Sequence, residues 1–262
     1  MKILVGIKHV PDTETKIKIG ADGVAIDQAA VSKWVISPYD EYALEQALLL
    51  REAAGEGEVV LVCAGRQVAQ QTLRQALAMG ADRAVFIQDD RFDLADGLTR
   101  AKAVAAVARE EEPELALFGK YGVGTDEVQT GPMVAELLDW PHVSAVSKLD
   151  LDVGKFTAEH GIEGAVEVLK GSLPAVITCE KGLNEPRYPS LKGIMQAKKK
   201  PIATKQPSDV GIEDAELGAD KMLVWESLEL PPERGGGKLI DGEPEGAARE
   251  LVRLLHEEAK VI

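Results

Sequence analysis

The 262-residue chain is poor in the residues that build disulfides and metal sites, with two cysteines, Cys63 and Cys179, and four histidines. The two cysteines lie far apart in the sequence, each at the end of an apolar run, and neither they nor the histidines show metal-ligand spacing. We therefore expect two buried thiols in a reducing compartment and no metal site.

Long apolar runs are also missing, since no stretch approaches the roughly 20 residues needed to cross a bilayer. The first residues, MKILVGIKHV, have the pattern of a strand and not that of a targeting segment. We expect a chain that does not span a membrane and that resides in a bacterial-type cytoplasm. Its 45% hydrophobic content is ordinary for a protein with a packed core.

Positive charge is scarce: 30 basic residues stand against 44 acidic ones, for a net charge of −14. This balance argues against nucleic acid as a partner. Between Lys181 and Lys205, however, seven basic residues accompany a single acid, Glu185. This basic segment predicts one face for an acidic partner, and the alternative is a solvated loop and helix end.

The common nucleotide signatures are absent. No G-x-G-x-x-G follows the first strand and no G-x-x-x-x-G-K-[ST] occurs, which excludes an ordinary NAD or FAD Rossmann module and a P-loop NTPase. No Ser/His/Asp or Cys/His arrangement for nucleophilic catalysis is evident. The sequence therefore shows no apparatus for hydrolysing a nucleotide.

Short apolar strands alternate with helices along most of the chain, which predicts βαβ units and a doubly wound, mostly parallel α/β sheet. Ser37 is the expected N-cap of a helix that stops at Gly55. The other predicted strands are 2–7, 58–65, 83–87, 114–120, 142–151 and 172–178, and the other predicted helices are 67–80, 98–112 and 127–138.

The remaining segments carry weaker patterns. Residues 16–27 predict a hairpin, 153–160 and 164–170 paired strands, 182–193 a loop, 194–200 a short helix, and 244–260 a final amphipathic helix. Arg234–Gly237 is a predicted flexible joint. We expect a nucleotide-binding domain at 1–202 and a C-terminal arm at 203–262, packed on its own domain or on another chain.

Ligands of open parallel sheets bind beyond the carboxyl ends of the strands. Three such ends are candidates: Gly6–His9, Cys63–Gly65 and Gly119–Gly131. The third contains four glycines and leads through Gln129 and Thr130 into a helix N-terminus, which favours a phosphate. The alternative is a flexible surface loop.

Two stretches carry a specific resemblance. One is 173–202, with its block LNEPRYPSLKGIMQAKKK. The other is 71–84, taken together with the short motifs QTG at 129–131 and LLDWP at 137–141. Over nearly its whole length the chain resembles the β subunit of electron transfer flavoprotein. The resemblance implies a doubly wound domain of the adenine-nucleotide-binding type, with an extended C-terminal arm that embraces an α subunit. In that family the heterodimer carries one FAD, held mainly by the α subunit, and an AMP in the β subunit. The electron-bifurcating type carries a second FAD instead of the AMP.

The resemblance also implies functional residues. The AMP pocket would be built from Gly6, Ser37, Cys63, Gly122, Thr125, Val128, Gln129 and Thr130, with the phosphate at Gln129 and Thr130. Tyr39 matches an aromatic position that approaches the flavin ring. A recognition loop at 183–195 would dock partner dehydrogenases through Arg187, Tyr188, Leu191, Ile194 and Met195, with Leu191 as the apolar anchor.

The sequence departs from the family pattern at three positions: His160 stands for a basic residue, Gly161 for a frequent Glu, and Ala165 for a Gly or acid. The QTG motif favours the AMP type. The implied function is an electron carrier, not an enzyme in its own right, that takes electrons from flavin dehydrogenases of the acyl-CoA dehydrogenase type in fatty acid β-oxidation. It would deliver them to a membrane quinone oxidoreductase. The alternatives are a bifurcating complex that binds a second FAD and oxidises NADH, and a stand-alone ATP-binding regulator.

Overall fold

The computed structural model describes residues 1–218, 220–232 and 236–262. The chain divides into two compact units, Met1–Leu228 and Glu229–Ile262. Residues 203–228, which the sequence assigns to the arm, belong to the first unit. The predicted joint begins at Arg234, and residues 234 and 235 lie outside the described residues.

The first unit contains all the described strands. In chain order they are β1 Lys2–Gly6, β2 His9–Pro11, β3 Trp34–Ile36, β4 Glu58–Gly65, β5 Arg83–Gln88, β6 Leu115–Gly119, β7 His142–Asp152, β8 Lys155–Ile162, β9 Ala165–Ser172, β10 Ala175–Cys179 and β11 Ile202–Lys205.

Five α-helices connect these strands and a sixth lies in the second unit. They are α1 Pro38–Ala54, α2 Ala69–Met79, α3 Gly97–Glu111, α4 Thr130–Leu138, α5 Leu191–Ala197 and α6 Pro244–Arg253. Short 3-10 turns occur at Gln28–Ala30, Asp90–Leu94 and Pro207–Val210, and a π turn at Leu254–Glu258 extends α6.

Nine strands form one sheet in the order β11-β5-β4-β1-β6-β10-β7-β8-β9. The pairs from β11 to β7 are parallel, and β7-β8-β9 is antiparallel. The predicted mostly parallel α/β class is therefore confirmed, as is the pairing of the segments around 153–160 and 164–170. Strand order reverses at β1 and β6, since β4 and β5 lie to one side of β1 and β6 lies to the other.

Helices cover both faces of the parallel part of the sheet, because parallel strands connected by helices leave two apolar faces to bury. On one face α1 and α2 pack against β1, β4, β6 and β10, with Leu44, Leu48, Leu73 and Leu77 in the core. On the other face α3 and α4 contribute Val104, Val107 and Val134. The strands are continuous apolar runs for this reason: β6 and β10 are buried at every position.

The two ends of α1 compare differently with the sequence predictions: the predicted stop is confirmed, and the predicted N-cap hydrogen bond is absent. Gly55 ends the helix in the left-handed conformation with φ 71°, as its lack of a Cβ allows. Ser37 occupies the N-cap position, but its hydroxyl makes no capping hydrogen bond. The Ser37 Oγ accepts instead from the backbone N–H of Val123 at 3.3 Å.

Two further segments differ from the sequence expectations. The hairpin predicted at 16–27 is reduced to one antiparallel bridge between Ile19 and Ile26. The turn between them is held by the Asp22 carboxylate, which accepts from the backbone N–H groups of Val24 and Ala25. The sequence does not predict the strand β11, since four residues give no clear alternation. It extends the sheet by pairing in parallel with β5.

The second unit consists mainly of α6 and the turn that follows it. Arg253 bridges Glu250 and Glu257 along the helix, and Leu251 and Val252 are about half exposed. Within Glu229–Ile262, the described residues include none that is buried, so this unit builds no core of its own.

Candidate functional site

A cavity of about 430 Å³ opens at the carboxyl ends of β1, β4 and β6, where the strand order reverses. This is the place at which open α/β sheets bind ligands, and the volume lies within the range of about 300–1,000 Å³ for small-molecule sites. Predicted residues that line it are Gly6, Cys63, Gly122, Thr125, Val128, Gln129 and Thr130. The fold therefore brings together the three strand ends that the sequence singled out.

Lys8 crosses one wall of the cavity. Its ammonium donates to Thr125 Oγ1 at 2.7 Å and lies 3.5 Å from the Gly122 carbonyl oxygen. Gly122 is needed for this path, because a Cβ there would come within 2.2 Å of the Lys8 Cδ. Burial, and secondarily the charge of Arg100, lowers the pKa of Lys8 to about 8.

The N-terminus of α4 faces the same space. Gln129 is the N-cap residue, and within the described part of the chain no side chain caps the first turn. The amide groups of such a turn and the helix dipole favour an anion. Val128, just before the cap, has φ 52°, which is strained for a β-branched residue and is typical of functional loops.

Arg100 and Glu127 form an ion pair in the cavity wall, which the sequence did not reveal. Their side chains are only 16% and 19% exposed, and Nη1 of Arg100 lies 3.3 Å from Oε2 of Glu127. Burial lowers the pKa of Arg100 from its usual value. Arg100 lies on α3, 27 residues from Glu127, so no local pattern pairs them.

Asp40 is buried beside the strand ends. Its carboxylate accepts from the backbone N–H of Lys8 at 2.7 Å and of Gly119 at 3.1 Å. Burial raises its pKa to about 7, although both hydrogen bonds oppose that shift. Gly119 permits the contact, because a Cβ there would lie 2.5 Å from Asp40 Oδ1. The carboxyl thus holds the ends of β1 and β6 in register.

Cys63 lies at the end of β4 and is buried, as expected. Burial raises the pKa of its thiol to about 12, so it is a neutral packing group at neutral pH.

The far wall of the cavity is apolar and aromatic. His9 of β2 stacks on Trp34 of β3 with ring centroids 4.3 Å apart, and its Nδ1 lies 2.7 Å from Thr72 Oγ1. The other ring nitrogen, Nε2, is buried and has no hydrogen-bond partner within the described chain. Burial lowers the pKa of His9 to about 4, so the ring is neutral.

A segment from Met222 to Leu228 completes this wall. Trp225 and Leu228 line the cavity. At one end of the segment, the backbone N–H of Met222 donates to the Asp96 carboxylate at 2.7 Å. At the other end, the backbone N–H of Leu228 donates to the Gly23 carbonyl oxygen, also at 2.7 Å. Sequence reasoning assigned these residues to the arm and gave no signal for this role.

Two predicted site residues do not line the cavity. Ser37 is fully buried and holds the Val123 backbone, and so supports the glycine-containing loop from outside. Tyr39 packs on Tyr121 with ring centroids 4.4 Å apart and the two hydroxyl oxygens at 3.3 Å. Its hydrogen bond to Tyr121 raises the pKa of the Tyr39 phenol to about 12.

The predicted recognition loop presents an apolar surface. Tyr188, Leu191 and Met195 are 95%, 84% and 71% exposed, and Ile194 is 46% exposed. Leu191 begins α5, whose first turn is capped by Ser190 at 3.0 Å from the Gly193 N–H. We refer to these four exposed side chains as the apolar patch.

Arg187 has a different environment from the rest of that loop. Its guanidinium donates to Glu45 at 2.8 Å and to Glu52 at 2.6 Å, both on α1. Its charge is therefore neutralised internally, and the residue ties the loop to the domain.

The basic segment 181–205 contains both cations that are paired within the domain and cations that remain exposed. Lys200 donates to the Leu77 and Ala81 carbonyl oxygens at the end of α2, and Lys205 pairs with Glu110. Four lysines of this segment remain exposed: Lys181, Lys192, Lys198 and Lys199.

The cavity residues fit a nucleotide. Lys8, Arg100 and the uncapped α4 turn supply donors for a phosphate, and the apolar wall suits a planar base. The buried Nε2 of His9 is a polar atom that a ligand in this cavity would satisfy.

The fold and site thus define a mostly parallel α/β protein with a nucleotide-sized cavity at its topological switch point. The model of the electron transfer flavoprotein domain matches residues 28–210. The chain belongs to the electron transfer flavoprotein family.

The curated relatives are beta subunits. The chain is 41% identical to electron transfer flavoprotein subunit beta of Bacillus subtilis over 263 residues, covering all of both chains. It is 39% identical to the beta subunit of Syntrophomonas wolfei, covering all of this chain and 98% of that one. The mitochondrial beta subunit of Oryza sativa subsp. indica is 40% identical over 264 residues, with full coverage of both. Among the described helices, none has the length and apolar content to cross a membrane.

Proposed function

We propose that this chain is the β subunit of a heterodimeric electron transfer flavoprotein. In this role it is an electron carrier that receives electrons from flavin dehydrogenases of the acyl-CoA dehydrogenase type, in fatty acid β-oxidation, and passes them to a membrane quinone oxidoreductase. The observation that carries the proposal is the match of the whole chain to beta subunits, joined to a cavity with donors at one end and an apolar wall at the other.

The cavity is the proposed site of an AMP of the adenine-nucleotide-binding fold type. Gln129, Thr130 and Thr125 would serve the phosphate with Lys8, while Gly6 and Cys63 would border the base. Ser37 supports this site through Val123. The FAD, held mainly by the α subunit, supplies the one- and two-electron chemistry. Tyr39 would stand at the surface nearest the flavin.

The apolar patch of Tyr188, Leu191, Ile194 and Met195 is the proposed docking surface for dehydrogenases. Exposed aromatic and aliphatic side chains within a charged rim are typical of short-lived complexes. The exposed lysines of the same basic segment favour acidic partners and faster encounter. Arg187 would act by holding the loop in its docking conformation.

The C-terminal arm is proposed to pack on the α subunit. Its helix α6 has an apolar stripe that builds no core within its own unit, and pairing with a partner would bury it. We place the heterodimer in the cytoplasm.

Nucleotide stoichiometry tests the proposal. The chain is co-expressed with its α partner, the purified complex is denatured, and the released nucleotides are quantified by chromatography. One FAD and one AMP per heterodimer is the expected result. Two FAD and no AMP per heterodimer would contradict the simple carrier and favour the bifurcating, NADH-oxidising complex. A lone, stable chain that carries ATP would favour a nucleotide-binding regulator instead.

A further inference from the structure

Two cations enter the cavity from different elements, Lys8 after β1 and Arg100 from α3. Each side chain is largely buried. Like charges in a shared, poorly hydrated space repel, and the charge of Arg100 contributes to the lowered pKa of Lys8. An anion between them would relieve this repulsion.

Glu127 is one such anion, supplied by the chain itself. Its contact with Arg100 is single and long, at 3.3 Å, whereas the other nitrogens of Arg100 donate to the Phe92 and Asp93 carbonyl oxygens. Arg100 is thus fixed in position by the backbone, and the bidentate geometry of a strong Arg–carboxylate pair is not reached.

The backbone on both sides of Glu127 is strained. Asp126 and Val128 have φ 49° and 52°, and neither residue is glycine. Such conformations are strained for residues that carry a Cβ, and they persist where the surroundings enforce them. They hold the Glu127 carboxylate against Arg100, directly before the uncapped N-terminus of α4.

We propose that Glu127 competes with the phosphate of a bound nucleotide for Arg100, and thereby sets the affinity and the charge preference of the cavity. This inference rests on the proposed nucleotide function and adds to it. The Nη1 of Arg100, which Glu127 occupies, and the Lys8 ammonium would together form a clamp for the phosphate. Glu127 cancels one of these two positive charges and repels the phosphate. The site therefore favours a nucleoside monophosphate over a diphosphate.

If Glu127 competes with the phosphate, substitutions of Arg100 and of Glu127 should change the affinity for AMP in opposite directions. The affinities are measured by calorimetric titration of the intact heterodimer, freed of nucleotide, with AMP, ADP and adenosine. Arg100→Met weakens AMP binding about 10- to 100-fold, the range for a lost charged hydrogen bond, and leaves adenosine within about threefold. Glu127→Gln tightens AMP binding by about 3- to 30-fold and tightens ADP binding more, because ADP carries more charge. Adenosine again stays within about threefold.

Glu136→Gln is the matched control, since it removes the same charge from an exposed position on α4. Its affinities should equal those of the parent. The inference is overturned if Glu127→Gln binds AMP no more tightly than the parent and Glu136→Gln do. If Arg100→Met does not assemble into a heterodimer, this comparison of affinities is sufficient to test the inference. Failure of the parent complex to bind either AMP or adenosine would overturn the proposed nucleotide function itself. Binding of adenosine and AMP with equal affinity would overturn only the phosphate clamp.

Discussion

At the scale of single residues, the cavity depends on two glycines that other side chains approach so closely that a Cβ would not fit. Lys8 passes over Gly122, and Asp40 lies against Gly119. Each glycine is used here for its missing Cβ and not for a special dihedral angle, since neither has positive φ. The position of the Lys8 ammonium is therefore determined by a residue more than 100 positions away.

Gly122→Ala should displace Lys8, because its new Cβ would lie 2.2 Å from Cδ of the lysine. We expect the purified heterodimer to lose nucleotide, with an affinity for AMP reduced about tenfold or more, as for one lost charged hydrogen bond. Gly161→Ala serves as the control, since nothing lies within 4 Å of its Cβ. Equal AMP contents in the two variants would show that Lys8 does not bind the phosphate.

His9 makes stability depend on pH. Its pKa is about 4 in the folded chain against the ordinary histidine pKa of 6.5, so the unfolded chain binds more protons between these values. The contribution of neutral His9 is present above about pH 6.5 and is lost as pH falls toward 4, with a slope of at most about 1.4 kcal/mol per pH unit for one proton. Urea unfolding of His9→Gln between pH 7 and 4.5 should show a smaller loss of stability than the parent. His256→Gln, at an exposed site in the arm, should reproduce the parental pH profile.

At the scale of elements, the recognition loop is attached to α1. Asn184 donates to the Tyr42 carbonyl oxygen and to Gln46, and Arg187 binds two glutamates of the same helix. A loop ordered in advance loses less conformational entropy when a partner binds. The exposed apolar patch therefore rests on a buried polar anchor.

Arg187→Ala removes that anchor and leaves Glu45, only 5% exposed, with the backbone N–H of residue 187, at 3.1 Å, in place of the guanidinium. We expect a loss of about 1–3 kcal/mol in the free energy of unfolding, because a buried carboxylate loses its charged hydrogen-bond partner. Lys148→Ala breaks a pair between side chains 58% and 31% exposed, and should cost less than about 1 kcal/mol. Chemical denaturation of the two variants compares them, and an equal cost would refute the anchoring role.

Leu191→Ala should slow reduction of the heterodimer by an acyl-CoA dehydrogenase by about tenfold, since a buried anchor in an interface contributes on the order of 1–2 kcal/mol or more. The FAD content should stay unchanged, because the side chain is 84% exposed and supports no core. Stopped-flow reduction of the variant is compared with that of Val153→Ala, whose side chain is 95% exposed in the β7–β8 turn. Parental rates in Leu191→Ala would exclude this residue as the docking anchor.

At the scale of the whole molecule, the two compact units differ in kind. Met1–Leu228 carries the sheet, both cores and the complete wall of the cavity, including Trp225 and Leu228. Glu229–Ile262 contributes a helix stabilised by its own ion pairs, with Leu251 and Val252 about half exposed. An isolated helix of this length is marginal in water, so a packing partner is its expected source of stability.

Leu251→Asp places a charge on the apolar stripe of α6. If the arm packs on the α subunit, the variant should weaken the heterodimer by about 2 kcal/mol or more, through loss of a buried leucine and burial of a charge. Dissociation measured by analytical ultracentrifugation tests this, with Glu245→Asp on the same helix as the control. Unchanged association would assign the arm some other role.

The sequence by itself determined the α/β class and most of the elements. Continuous apolar strands, amphipathic helices and the stop at Gly55 are local patterns, and these segments lie close to their predicted positions. The glycines and the Gln129–Thr130 helix start also marked one strand end as a site, because that signal lies within one short segment.

Only the tertiary structure decided what faces the ligand. Arg100 and Glu127, His9 and Trp34, and Trp225 come from segments distant in sequence, and their contacts follow from the reversal of strand order at β1 and β6. The same packing turned Ser37 from a helix cap into a support for Val123, and Arg187 from an exposed charge into an anchor on α1. Side-chain partners are chosen by proximity in space, which local periodicity does not encode.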